Sequence, residues 1–478
     1  MNQSHVDLPT ARPVTLGIRT VSWEQPLREP NILLDALIDE AGMSHDGFAA
    51  RVNQAGQRHG LVLLYDHASV RRWIRDATVP RGQVPELICE ILSARLQRAV
   101  TLSDAGLDHS GPEDDGTPLA QAVDAAAALW RSDRKQAAGL QSAKPVQGPA
   151  AIAPLYEWEN PPDDLDVARH AGRRVSREQV RALKAARVRY ERMYREAGGV
   201  PVRPRIVDFL VSCATPLVKG AYDDATGRDL YRAAGGLAAL AGICAYDANL
   251  QGAAQRYYFQ ALRMAKASGD RGFGGYVIAL LTNQALYQGR NRQVIQYAET
   301  ALRGARGSLS PALITDLNAL QAKAYARIGD RNGCHASMTR AEAAAGRIRP
   351  DQEPPETSYV QAGLVETQHA DALRSLGDLT AARAYAQQSV DVAAHSHARG
   401  RVHRLATLAT ILAGQRDAEH AADTAMRMLD QAVGMESRRI EERIIGVRDA
   451  IAGMSDGRAA AELAERVSDI TGARLRTR

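Results

Sequence analysis

The chain has 478 residues, a net charge of +5, 45% hydrophobic residues and only 5% aromatic ones. That length exceeds what one hydrophobic core organises, and the ordinary hydrophobic and charged contents exclude a disordered or fibrous chain. Abundant alanine with few aromatics favours closely packed helices over sheets.

The first 30 residues hold four prolines and no sustained periodicity, and read as a flexible arm. Helical patterning begins at "NILLDALIDEAGMS". Leu33, Leu34, Leu37, Ile38 and Ala41 share one face, Asn31 suits the cap and Gly42 the stop. Ser44 then caps "HDGFAARVNQAGQRHG", whose Phe48, Val52 and Ala55 repeat the spacing. "LVLLYD" reads as a short strand or extended turn before the helix "YDHASVRRWIRD", and "PELICEILSARLQRAV" follows with Pro85 suited to a first turn. These helices make a unit over 31–108. Its stretch 51–98 carries eight arginines against four acidic residues.

From 109 to 165 the composition turns to Gly, Pro, Ala and Asp around one helical stretch, "LAQAVDAAAALWRSDRK", which reads as a linker with a docking helix. "VSREQVRALKAARVRYERMYREAGG" is an amphipathic helix over 177–197, in a region of twelve basic residues against three glutamates. Two readings stay open for it: added phosphate contacts or a solvated face. The remainder, 166–436, repeats a helix, a short turn and a second helix. Ala254, Val294, Cys334, Ala382 and Ala421 occupy equivalent positions in five such pairs. Small residues at that offset predict tetratricopeptide-like pairs stacked into an α-solenoid. "IRPDQEPPETS" is the longest connection and reads as a loop, and 437–478 supplies capping helices.

The phase of "YDHASVRRWIRD" sorts its residues. Val70, Trp73, Ile74 and Ala77 make a packing face, while Ala68, Arg72 and Arg75 lie opposite with Ser69 and Arg71 beside them. Short side chains followed by guanidiniums suit a major-groove helix, and "S-x-x-x-F-A-x-x-V" (Ser44, Phe48, Ala49, Val52) suits the helix packed across it. The expected DNA contacts are His67, Ser69, Arg71, Arg72, Arg75 and Arg81. The competing reading is a small helical adaptor with a solvated arginine face.

On the solenoid, the first helix of each pair lines the concave surface. Tyr246, Asp247, Asn283, Tyr287, Lys323, Arg327, Asp371 and Arg374 are its expected ligand-binding residues. Each of them has a plainer role available, as an inter-helix hydrogen bond or solvated surface. "GDRGFGG" falls between repeats and is no nucleotide loop. His395 and His397, two residues apart in "HSHARGRVH" with His403 further on, point apart on a helix. Four scattered cysteines without a CxxC pair argue against a disulfide framework or zinc, and suit a reducing cytoplasm. No catalytic constellation stands out, so neither enzyme activity, metal nor cofactor is expected. "MNQSHVDLPTARP" lacks the makings of a signal peptide, and no apolar run nears the ~20 residues that span a bilayer. A cytoplasmic protein without membrane contact is expected.

Two blocks carry a resemblance. "RVNQAGQRHGLVLLYDHASVRRWIRDATVPRGQVPELICEILSARLQRAVTLSDAGL" and "LVKGAYDDATGRDLYRAAGGLAALAGICAYDANLQGAAQRYYFQALRMAKASGDRGFGGYVIALLTNQALYQG" resemble the actinobacterial Xre-type helix-turn-helix regulators with tetratricopeptide repeats, the NsdA-like family. The resemblance implies a transcriptional regulator of sporulation and secondary metabolism. It is similar in design to peptide-sensing quorum regulators, so double-stranded DNA, a homodimer partner and a peptide or small-molecule effector are expected. The alternative is an interaction protein that sequesters a partner regulator without binding DNA.

Overall fold

The computed structural model describes residues 30–58, 63, 65–75, 78–80, 84–107, 118–160, 163–305, 307–392, 398–453, 462–463 and 465–468. The described chain is all-helical: 21 α-helices and no strand, with two isolated bridges at Arg169–Tyr222 and Arg174–Ala221. It divides into two compact units, 1–113 and 114–478.

In the first unit α1 (Ile32–Glu40), α2 (His45–Arg58), α3 (His67–Arg75) and α4 (Val84–Leu96) enclose one core. Leu34, Ile38, Phe48, Val52, Val70, Ile88 and Leu92 are fully buried there. Asn31 ties the unit's ends together. Its Oδ1 accepts the Leu34 amide at 3.0 Å, capping α1, while its Nδ2 donates to the Ala105 and Gly106 carbonyls at 3.0 and 2.9 Å. α2 packs on both α3 and α4. The end of the connector before α3 is gripped by one side chain. Asn53 Nδ2 donates to the Tyr65 carbonyl at 2.8 Å and its Oδ1 accepts the Tyr65 amide at 2.9 Å. Tyr65 then meets Trp73 edge-on, ring centroids 4.9 Å apart.

The second unit opens with α5 (Pro118–Arg134), α6 (Ala138–Gln141) and α7 (Pro149–Glu159). The sequence expectation of a linker with one docking helix over 109–165 is corrected here: the described part forms three helices embedded in the unit's core. Trp130 and Trp158 are fully buried, and Trp158 fills a slot between two glycines. A Cβ on Gly274 would stand 2.1 Å from the indole Nε1, and one on Gly304 2.6 Å from its ring. The Ala- and Pro-rich composition masked two large anchors.

Next come α8 (Arg177–Ala197), α9 (Gly199–Phe209) and, after a π-helical turn at Leu210–Ala214, α10 (Thr215–Val218). Five helix pairs follow: α11 (Asp224–Asp247) with α12 (Gln251–Ser268), α13 (Arg271–Tyr287) with α14 (Asn291–Gly304), and α15 (Pro311–Arg327) with α16 (Arg331–Ala345). Then α17 (Leu364–Ser375) pairs with α18 (Leu379–Val392), and α19 (Ala398–Gly414) with α20 (Ala418–Ala432), before α21 (Arg438–Ala452). Short turns within each pair make its helices antiparallel neighbours, an arrangement consistent with an α-solenoid. Ala254, Val294, Cys334, Ala382 and Ala421, aligned from sequence, are all fully buried where the helices of a pair cross.

The first helices of successive pairs touch one another from α11 through α21 and form an inner layer. Four of them start on an Asp or Ser cap whose side chain accepts an amide of the first turn: Asp223, Asp270, Ser310 and Ser437. The inner layer returns on itself. The Glu436 amide donates to the Ala197 carbonyl at 3.0 Å, and Gly198, at φ +88°, leaves no room for a Cβ against the Glu436 carbonyl.

The connection holding "IRPDQEPPETS" reads from sequence as a loop, and it turns inward. Glu356 and Thr357 are buried. Glu356 pairs with Arg232, the Tyr359 hydroxyl donates to Asp316 Oδ2 at 2.6 Å, and Arg195 donates to the Ser358 hydroxyl at 2.6 Å. No described helix is long and apolar enough to cross a membrane.

Candidate functional site

Two arginine-bearing places stand out, one in each unit. In the first, Asp66 starts α3: its Oδ1 accepts the Ser69 amide at 2.8 Å and the Ser69 hydroxyl at 2.7 Å. Both bonds favour the carboxylate and lower the Asp66 pKa. Val70, Trp73 and Ile74 turn into the core, as their phase requires. His67, Ala68, Arg71, Arg72 and Arg75 are exposed on the other side. None of the three arginines has an ion-pair partner among the described residues. Ser69 departs from the expectation. It is buried and spends its hydroxyl on Asp66, because the cap draws it inward from the flank of the helical wheel. Arg81 lies outside the described residues.

The second place is the interior bounded by the inner layer of the paired-helix unit. Asp247, at the end of α11 and fully buried, accepts the Gly199 amide at 2.8 Å and the Ser437 hydroxyl at 2.7 Å, and pairs with Arg399 of α19. Tyr246 and Tyr287 meet edge-on at 5.7 Å. The Arg439 guanidinium of α21 lies over both rings, 5.0 Å from the first centroid and 3.4 Å from the second. Glu442 accepts from Tyr287 at 2.8 Å and from Asn249 at 3.1 Å, and pairs with Arg439 at 2.9 Å.

One layer further along, Lys323 donates to Asp371 at 2.9 Å and to Gln368 at 2.7 Å. Arg443 and Arg374 approach the same carboxylate at 3.6 and 3.8 Å. Burial alone would push the Asp371 carboxyl up, but Lys323, Arg443 and Arg374 outweigh it and hold it well below the carboxylate range. Arg327 donates to the Leu286 carbonyl at 2.7 Å, and Asn283 is exposed. Half-buried His403 sits among cations: burial first, then Arg399, Arg443, Arg439 and Lys323, pull its pKa well below that of a free imidazole.

Seven of the eight expected concave-face residues therefore make contacts within or across the inner layer, and Asn283 alone of the eight stands exposed without a hydrogen bond among the described residues. Sequence reasoning missed Arg399, His403, Arg439, Glu442 and Arg443. A signal was present: Arg439 with Arg443, and Arg399 with His403, are i, i+4 pairs that share a helix face. His395 and His397 lie outside the described residues, and no group of three His, Cys, Asp or Glu placed to hold a metal occurs among those described. The basic helix α8 turns part of its charge inward. Buried Arg187 bonds Glu191 at 2.8 Å, as Arg195 does at 2.5 Å.

Residues 34–108 match the family described as the SP15 N-terminal domain, a stretch that runs from α1 to the last turn of the first unit. That family is neither an Xre-type helix-turn-helix family nor a tetratricopeptide family. No curated protein and no solved structure matches the chain.

Proposed function

We propose that this chain is a sequence-specific, DNA-binding transcriptional regulator that acts in the cytoplasm as a homodimer and represses genes of development or secondary metabolism. The N-terminal unit reads double-stranded DNA as an Xre-type helix-turn-helix, with α2 packed across α3. The tetratricopeptide-like solenoid binds a peptide or small ligand, mediates dimerisation, or both. One observation carries this reading: α3 presents His67, Ala68, Arg71, Arg72 and Arg75 together on an exposed face, its arginines without an ion-pair partner among the described residues and Arg72 making only a long 3.4 Å bond to the Ser69 hydroxyl. Guanidiniums so placed fork onto guanine edges or grip phosphates. Arg72 and Arg75 are assigned base edges, and Arg71 and His67 the flanking backbone.

A selection from random duplex DNA, followed by gel shifts, tests this. The wild-type chain enriches one motif. The Arg72→Ala, Arg75→Ala variant loses about tenfold or more in affinity for it, as expected for one to two base-contacting groups. Equal binding by both proteins refutes the assignment of α3.

A second reading stands beside it, because the family that residues 34–108 match is not an Xre-type helix-turn-helix family. In that reading the first unit docks a protein and the solenoid sequesters a partner regulator. No sequence enrichment from random DNA, together with a stoichiometric protein partner, supports it.

A further inference from the structure

The interior of the paired-helix unit holds more positive charge than its carboxylates balance. Lys323 and Arg327 on α15, Arg374 on α17, Arg399 on α19, and Arg439 and Arg443 on α21 converge there, against Asp247, Asp371 and Glu442, with buried Asp316 of α15 near Lys323, its carboxyl raised by burial to about 6. Most carboxylate oxygens there are already engaged. Asp371 Oδ2 takes Lys323 and Arg443, while its Oδ1 is buried with Arg374 3.8 Å away and no hydrogen-bond partner among the described residues; Asp247 is bonded by Arg399, Ser437 and the Gly199 amide, and Glu442 by Arg439, Tyr287 and Asn249. Donors are left over. Among the described residues, Arg399 Nη1, Arg439 Nε and Arg374 Nε are buried without a hydrogen-bond partner, and so is the hydroxyl of Thr407, itself 1% exposed. Arg399, His403 and Thr407 follow at i, i+4 and i+8 on one face of α19. Burying like charge without counter-charge is costly. An arrangement of this kind is stabilised by an anion that accepts from several donors at once.

We propose that this interior is a binding site for a compact polyanion, phosphoryl or polycarboxylate. It accepts hydrogen bonds from Arg399, Arg439, Arg443 and Lys323 and bridges α15, α19 and α21. The proposal rests on the reading that the solenoid binds a ligand, and gives that ligand its chemical class. It is independent of whether α3 reads DNA. Because the donors come from three helices of the inner layer, the occupied site draws the end of the stack toward its middle.

The test is calorimetric titration of the full chain at low ionic strength with inorganic pyrophosphate and, in a separate arm, with citrate. Stronger binding of one or the other distinguishes the phosphoryl from the carboxylate source. At least one binds, with an affinity that falls as salt is raised. Arg443→Gln, a half-exposed position whose loss leaves Asp371 its Lys323 partner, weakens binding tenfold or more while the ligand-free melting temperature stays within a few degrees. Arg439→Gln has the same direction. The Arg72→Ala, Arg75→Ala variant, altered in the other unit, titrates like wild type. Binding of neither anion overturns the proposal. So does undiminished binding by the folded Arg443→Gln and Arg439→Gln proteins, or binding lost in the α3 variant. Failure of DNA selection with anion binding intact refutes only the reading of α3.

Discussion

The arginines of α3 and those of the inner layer are the same residue type put to opposite uses. On α3 they project from a helix whose other side is anchored by Val70, Trp73 and Ile74, and nothing described in the fold engages them with a carboxylate. In the paired-helix unit, Arg399 and Arg439 are largely buried, stacked on tyrosine rings and tied to Asp247 and Glu442. An exposed guanidinium is free to serve a partner and contributes little to folding. A buried one must be matched, and removing its match is expensive. Charge counts from sequence treat the two alike, and only burial separates them.

The largest effect is expected at Asp247. Asp247→Ala strands Arg399 in the interior and removes acceptors from Ser437 and the Gly199 amide, and is expected to destabilise the second unit by about 3–5 kcal/mol. Urea unfolding followed by circular dichroism measures it. A loss under 1 kcal/mol means that the Arg399–Asp247 pair is not structural.

Asp316 and Asp371 are buried carboxyls with opposite shifts. Burial raises the Asp316 carboxyl to about 6, even though the Tyr359 hydroxyl and Lys323 oppose the shift. Its folded pKa exceeds the unfolded value near 4, so the native state prefers the protonated form. Stability is then greatest below about pH 4, and a part of it is lost as pH rises through 6. Asp316→Asn keeps an acceptor for Tyr359 and is expected to stabilise the protein by about 2–3 kcal/mol at pH 8, and hardly at all at pH 4. Asp371 has the opposite sign, its pKa held down by three cations. Its contribution is present at neutral pH and is lost as pH falls below about 4. Denaturant midpoints of Asp316→Asn and Asp371→Asn across that range should therefore move in opposite directions relative to wild type.

Smaller still is Gly198→Ala. It combines φ +88° with a Cβ 2.3 Å from the Glu436 carbonyl, and a strained backbone of this kind costs about 1–3 kcal/mol. Thermal unfolding reports it, and an unchanged midpoint refutes the tight approach. The smallest stability effect belongs to Arg72→Ala with Arg75→Ala, within about 0.5 kcal/mol. A larger loss places those side chains in the fold and weakens their assignment to DNA.

Local pattern revealed the helices and much of their packing. The face of α3, and that of α1 apart from Leu33, which is 50% exposed, followed from 3.6-residue spacing, and the five aligned residues are fully buried, because a repeated helix pair imposes the same steric demand each time. What pattern could not supply was anything settled by distant partners. Ser69 was misplaced because helical phase says nothing of the Asp66 cap. The stretch holding Trp130 and Trp158 passed for a linker because the Trp158 slot is built from Gly274 and Gly304, more than a hundred residues on. The Glu356 segment read only as a loop, and its burial was not legible because Arg232 lies 124 residues before it. Tyr246, Asp247, Tyr287 and Asp371, expected on the concave face, make contacts with α19 and α21 that were not foreseen.

The contact of Glu436 with Ala197 and Gly198 has a mechanical consequence. An open row of repeats comes apart from its ends, each repeat held by its neighbours alone. Here the last inner helix is fastened to the first ones, so neither end can fray without undoing the seam. Deleting α21 does not shorten the stack by one repeat: it unfastens a clasp, and the remaining repeats are expected to lose their shared, single-step melting.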